Sequence, residues 1–177
     1  MPVWLADARA AEIDGVQLPT TLHIDGKTLQ LNGYGLRTYS ILGIHIYVAG
    51  LYLEHLSTDP DEILGSPETK LLTIRFRHDV SAEKSRNAWR SGLLNNCLAP
   101  CRLDPKDVDV FLSQITDMTA GDSYDLLFTQ RGAAVTNSGH MVGTVSKPQF
   151  AQAMLATFLG PKPGTPSLKH DLLRGHS

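Results

Sequence analysis

The stretch from Leu31 to Leu53, LNGYGLRTYSILGIHIYVAGLYL, constrains this chain more than any other. Its apolar residues alternate as in a β-ribbon, and Arg37 is its only Lys or Arg. An arginine keeps its proton at any accessible pH. If both faces of the ribbon are covered, Arg37 must be paired, or it must face a wet cleft that accepts anions.

The rest of the chain sets the context for that choice. With 177 residues the sequence can bury a sizeable core and fits one domain, expected over residues 12–177. A net charge of −2 with 42% hydrophobic residues gives no basic excess for a phosphate backbone, so no nucleic-acid partner is expected. No apolar run approaches the roughly 20 residues of a membrane-spanning helix, and the richest is broken by Gly43, His45 and Gly50. Within residues 1–11, Ala8-Arg9-Ala10 has the small-x-small pattern that precedes a signal-peptidase cut. These residues read as the remnant of a secretion signal, which implies a bacterial periplasm; a disordered cytoplasmic N-terminus is the alternative. The two cysteines, Cys97 and Cys101, are too few for a disulfide framework, and no second ligand pair makes zinc attractive. They form either a bridge or two buried thiols.

Turn and cap signals divide the chain. Short strands run from Ile13 to the Asp25-Gly26 turn, and Lys27–Leu31 returns as a strand. Asn32–Gly35 reads as a glycine-punctuated bend, and residues 36–55 as a long strand pair kinked at Leu42-Gly43. Asp59-Pro60-Asp61-Glu62 starts a short helix. In the strand from Thr69 to His78, Leu72, Ile74 and Phe76 share a core face; Thr73, Arg75 and Arg77 are expected to be wet. Ser81 caps a helix to about Asn96, and Asp104-Pro105 opens another, with Val108, Phe111, Leu112 and Ile115 at i, i+3, i+4 and i+7. Three meander strands follow, over 123–130, 133–137 and 140–145. Ser146-Lys147-Pro148-Gln149 has capping-box spacing ahead of a helix ending at Gly160, and a last short helix spans 167–173. This order argues an α+β fold, an antiparallel sheet covered on one side by helices.

Standard catalytic and nucleotide-binding signatures are absent, and Gly33-x-Gly35 opens a strand rather than a helix, so neither cofactor nor metal is expected. Arg37 remains, with Tyr34, Tyr39, Tyr47 and Tyr52 on the same ribbon. Arg37 and Tyr39 share a face by alternation, and His45 with Tyr47 makes a second polar set beyond the kink. An arginine fork with a phenol suits a carboxylate or an enolate-like oxygen. The competing account ties Arg37 to backbone carbonyls at a sheet bend. Trp89, Leu93 and Asn96 return to one helical face, either lining a cleft or serving as core and helix end.

Four segments, L-N-G-x-G-x-R-T, G-I-x-I-Y-V-A-G-L-Y-L, R-x-D-V-S-A-E-K and F-x-x-A-M-L-A-x-F-L-G, resemble the bacterial chalcone isomerase-like family from about Gly15 to Leu173. The resemblance implies an open-faced β-sandwich with a large antiparallel sheet and a helical layer. It also implies that Arg37 matches the cleft arginine that steadies phenolate and enolate oxygens while a chalcone closes to a flavanone. In the fatty-acid-binding members that arginine, with a tyrosine, holds a carboxylate. By the same resemblance Tyr47 stands where the enzymes have a threonine and Trp89 where they have a tyrosine, while Asn96-Cys97 is retained. The expected ligand site is therefore Arg37, Tyr39, Tyr47, Trp89 and Asn96. It would bind a small amphipathic or phenolic anion, with an isomerase (an intramolecular lyase using Arg37 catalytically) and a structural or partner-binding module as alternatives.

Overall fold

The computed structural model describes residues 5–6 and 9–174. Their strands are β1 (Leu5–Ala6), β2 (Ala10–Ile13), β3 (Val16–Pro19), β4 (Thr21–Ile24), β5 (Lys27–Tyr39), β6 (Ile44–Leu53), β7 (Lys70–Phe76), β8 (Ser123–Thr129), β9 (Gly132–Asn137) and β10 (His140–Val145). The helices are α1 (Pro60–Gly65), α2 (Ala82–Asn96), α3 (Pro105–Ser113), α4 (Pro148–Leu159) and α5 (Pro166–Leu172). Eight strands form one antiparallel sheet in the order β1-β4-β5-β6-β7-β8-β9-β10, and β2 and β3 make a separate hairpin. Sequential neighbours pair because short turns join them. Asp14-Gly15, Asp25-Gly26 and Ser138-Gly139 all take left-handed backbone conformations, the geometry that two-residue hairpins require.

The sheet is covered on both sides, unequally. One face carries Tyr47, Ala49, Leu51, Leu53, Leu72, Ile74 and Phe76 into the large core with the helices. The opposite face buries Leu29, Leu31, Val48, Tyr52 and Leu71 with Leu18 of the β2–β3 hairpin. Of the face expected to be wet, Arg77 is exposed and Arg75 half-buried, but Thr73 is not wet. Thr73 and Asp125 are buried there, and Asp125 accepts hydrogen bonds from Thr73 and, at 2.9 Å, from Arg75. A buried carboxylate needs such partners, and Arg75 supplies the counter-charge.

Caps set the helix starts. Asp59 accepts from Asp61 and Glu62, Ser81 from Lys84, and Asp104 from Lys106. The expected capping box before α4 does not form. Lys147 is the N-cap and makes no side-chain capping bond, and Gln149 instead accepts from the Arg102 N–H at 3.2 Å. Nothing polar has to hold this helix, because α4 is buried on nearly every side between the sheet and α2. Gly92 of α2 allows that approach: a Cβ there would land on the Thr157 side chain.

The Asn32–Gly35 segment is not a bend. β5 runs through it with a bulge between Leu31 and Gly33, where Asn32 is the extra residue. Ahead of the bulge Leu29 and Leu31 face the smaller core; behind it Gly33, Gly35 and Arg37 oppose Leu51, Ala49 and Tyr47 on the helix face. The two glycines make room for α5. A Cβ at Gly33 would fall on the Asp171 and Leu172 carbonyl oxygens, and one at Gly35 would come within 2.6 Å of the Asp171 Cβ. Asn32 fastens the same junction, donating to Leu172 O and Ser57 O at 2.9 Å and accepting from Ser57 N at 2.9 Å.

Candidate ligand site

Arg37 and Tyr47 are cross-strand partners on β5 and β6. The bulge puts Arg37 on the helix side, where Tyr47, Ala49 and Leu51 of β6 also face, and Arg37 is half-buried there. Its Nη1 donates to the Tyr47 hydroxyl at 3.5 Å, and its guanidinium carbon lies 5.6 Å from the ring centroid, within cation–π range. The Tyr47 ring packs edge-on against Phe76 at 5.7 Å. Among the described residues Arg37 makes no salt bridge. Nor is it tied to a backbone carbonyl of any described residue, as a purely structural arginine at a sheet bend would be.

The electrostatics follow from this geometry. Tyr47 is only 7% exposed, and burial raises its pKa against a smaller pull from Arg37, so the phenol keeps its proton at neutral pH. As Tyr47 accepts from Arg37, its own O–H remains available as a donor. A guanidinium has five N–H donors in a planar fork, of which the phenol takes one. Together they form a cationic donor cluster that fits two oxygens of one anion.

The other expected site residues have partners of their own and are not joined to this pair by any bond or ring contact among the described residues. Tyr39 ends β5 beside the turn to β6 and is 65% exposed, at the rim. Trp89 lies in the large core, edge-on to Phe111 at 5.2 Å and Phe158 at 5.7 Å. Asn96 donates to Gly92 O at 2.9 Å and Lys162 O at 2.8 Å and accepts from Lys162 N at 3.0 Å, so it binds the chain after α4 to the end of α2. His45 pairs with Asp14 at 3.0 Å, and Asp14 also accepts from Arg77. Next to Asn96, Cys97 and Cys101 form a disulfide. No cluster suited to a metal ion occurs among the described residues.

A cleft lined by none of these residues was not foreseen. About 580 Å³ opens among Leu64, Ser66, Lys70, Phe128, Gln149 and Gln152, at the opposite end of β7 from Phe76, roughly 20 Å along the strand. Lys70 is buried there, donating to Ser66 O at 2.6 Å and Glu68 O at 3.2 Å, and burial lowers its pKa. No local pattern marks that lysine in advance, because it follows a loop and opens an ordinary strand.

Comparison with known proteins bears on the family and the fold. A family model described as chalcone isomerase-like matches residues 10–174. The chain belongs to the chalcone isomerase-like family. A solved structure of an Arabidopsis thaliana fatty-acid binding protein superposes with a TM-score of 0.72 over 96% of this chain and 95% of that one, at 17% sequence identity. That likeness establishes the fold, an α+β arrangement with an antiparallel sheet under a helical layer. No curated protein sequence matches. Among the described residues of this family member no helix is long and apolar enough to cross a membrane.

Proposed function

We propose that this chalcone isomerase-like protein binds a small amphipathic anion such as a fatty acid, with the carboxylate on Arg37 and Tyr47 and Tyr39 at the rim. One observation carries the reading: a half-buried arginine on the helix face has no carboxylate partner among the described residues and only a 3.5 Å contact to a protonated phenol. A cation held part-way out of water retains a strong demand for an anion. The name of the Arabidopsis protein with the same fold, a fatty-acid binding protein, supports this ligand class. Solvent extraction and mass spectrometry of the purified protein should return a bound fatty acid, and Arg37→Ala should lose it. Equal retention by that variant would refute the assignment.

The same donor pair favours a second reading, an isomerase closing a chalcone-like substrate, because an enolate oxygen suits these donors as well as a carboxylate does. That reading requires loss of the chalcone absorbance band faster than the uncatalysed, pH-dependent background, and a loss of the excess in Arg37→Ala.

Export to the periplasm is the accompanying proposal. The Cys97–Cys101 disulfide supports it, since such bonds persist in oxidising compartments. The cut-site pattern begins at Ala8, outside the described residues. Protein isolated with alkylated thiols should show both cysteines unmodified; two blocked thiols would place it in a reducing compartment.

A further inference from the structure

The turn between β5 and β6 exposes three large side chains within four residues: Tyr39 at 65%, Ile41 at 106% and Leu42 at 83%. Such a cluster is unfavourable in water, and the turn does not need it. Its shape comes from Ser40 and Gly43, both with positive φ, from the Gly43 N–H to Ser40 O bond and from the Leu42 N–H to Ser40 Oγ bond. Ile41 and Leu42 serve neither the turn nor either core. Behind them stand Arg37 and the His45–Asp14–Arg77 cluster.

From this arrangement we infer that the β5–β6 tip is a membrane-docking element that enters the surface of an anionic lipid bilayer. Area argues against a protein partner or a second copy. Three side chains on a convex tip offer on the order of 400 Å², about half of what one partner buries in a stable protein interface. A bilayer surface needs no complementary pocket and accepts isolated Ile and Leu side chains, with a tyrosine at the headgroup boundary. Charge argues for the anionic kind. At the base of the tip Asp14 pairs with His45 and Arg77, while Arg37 has no carboxylate partner among the described residues and stands there as an unmatched cation. Depth is consistent as well. Arg37 lies two strand residues, roughly 7 Å, behind Tyr39, so a tip sunk about 5–10 Å leaves its guanidinium at the phosphate level. This function goes beyond anion binding at Arg37 and does not depend on it.

The test uses the full chain and vesicles free of fatty acid, of phosphatidylcholine alone or with three-tenths phosphatidylglycerol. Wild-type protein should sediment with the anionic vesicles, and Ile41→Ser/Leu42→Ser should weaken that partitioning at least tenfold. Both positions are solvent-exposed, so an unchanged melting curve is expected for the variant. An Ile41→Trp protein should show blue-shifted emission with anionic vesicles and quenching by brominated acyl chains. Wild-type protein left in the supernatant would overturn the inference. Undiminished sedimentation of the double serine variant would do so too, as would a dimer that the variant abolishes while neither protein binds vesicles. Because the vesicles hold no free fatty acid, failure here is separable from failure of ligand retention at Arg37.

Discussion

At the scale of single residues, Arg37 gives the fold little support. Its partners among the described residues are one long hydrogen bond and the face of one ring. Arg37→Ala should therefore destabilise the protein by less than about 1 kcal/mol in urea unfolding, the range of a lone, partly exposed cation–π contact. A larger loss would mean that the arginine is part of the scaffold. The tyrosines behave differently. Burial raises the pKa of Tyr47, Tyr52 and Tyr124 above the ordinary 10.0, so folding favours their protonated forms. Their contribution is complete below the unfolded-state value and is lost as pH climbs through the folded ones. Lys70 acts in the opposite sense. Burial lowers its pKa from 10.5, so the cost of its charge is relieved as pH rises through the lowered value. With three phenols against one amine, the urea midpoint should fall between pH 9.5 and about 11, and Tyr124→Phe should flatten that fall. Residue-level cues were only partly readable in the sequence. Arg37 stood out because a permanent charge in an apolar ribbon requires an explanation. Lys70 did not, since a lysine that opens a strand after a loop carries no sign that its ammonium will turn back onto the Ser66 and Glu68 carbonyls. Trp89 and Asn96 fitted a cleft or a core equally well until their ring and carbonyl partners were visible.

Elements were legible where their instructions are local. Asp59, Ser81 and Asp104 each cap the helix expected of them, and the Asp25-Gly26 and Ser138-Gly139 turns fall where expected, because caps and two-residue turns involve only neighbours in sequence. Readings failed where a distant element supplies the reason. Gly33 and Gly35 are small because α5, more than a hundred residues later, lies on them. Gln149 abandons the capping box because the Arg102 N–H needs an acceptor. The glycine finding is testable. Gly33→Ala should displace α5 and cost roughly 2–3 kcal/mol, as overpacking against backbone does; Gly26→Ala, open in space though at positive φ, should cost about 1 kcal/mol. Chemical unfolding of the two variants compares them directly, and equal losses would refute the close-approach explanation.

For the whole molecule, the sheet works from both sides. The β2–β3 hairpin closes one face and five helices the other, while the resemblance had promised chiefly the helical layer. The Cys97–Cys101 bond adds little to this global scaffold, since it closes a loop of only five residues. Reduction should remove at most about 2 kcal/mol, or roughly 4–8 °C of melting temperature for a chain of this size. Calorimetry with and without reductant measures it. Asn32, the extra residue of the bulge, has a wider consequence. It exchanges the two sides of the ribbon part-way along β5, so everything after it faces the opposite way from what plain alternation dictates. Deleting that one residue would keep the letters G-Y-G-L-R and turn the arginine under the hairpin, away from Tyr47. A matched arginine column in an alignment is thus an incomplete guide to shared binding; the bookkeeping of insertions upstream decides which compartment of the fold the charge serves.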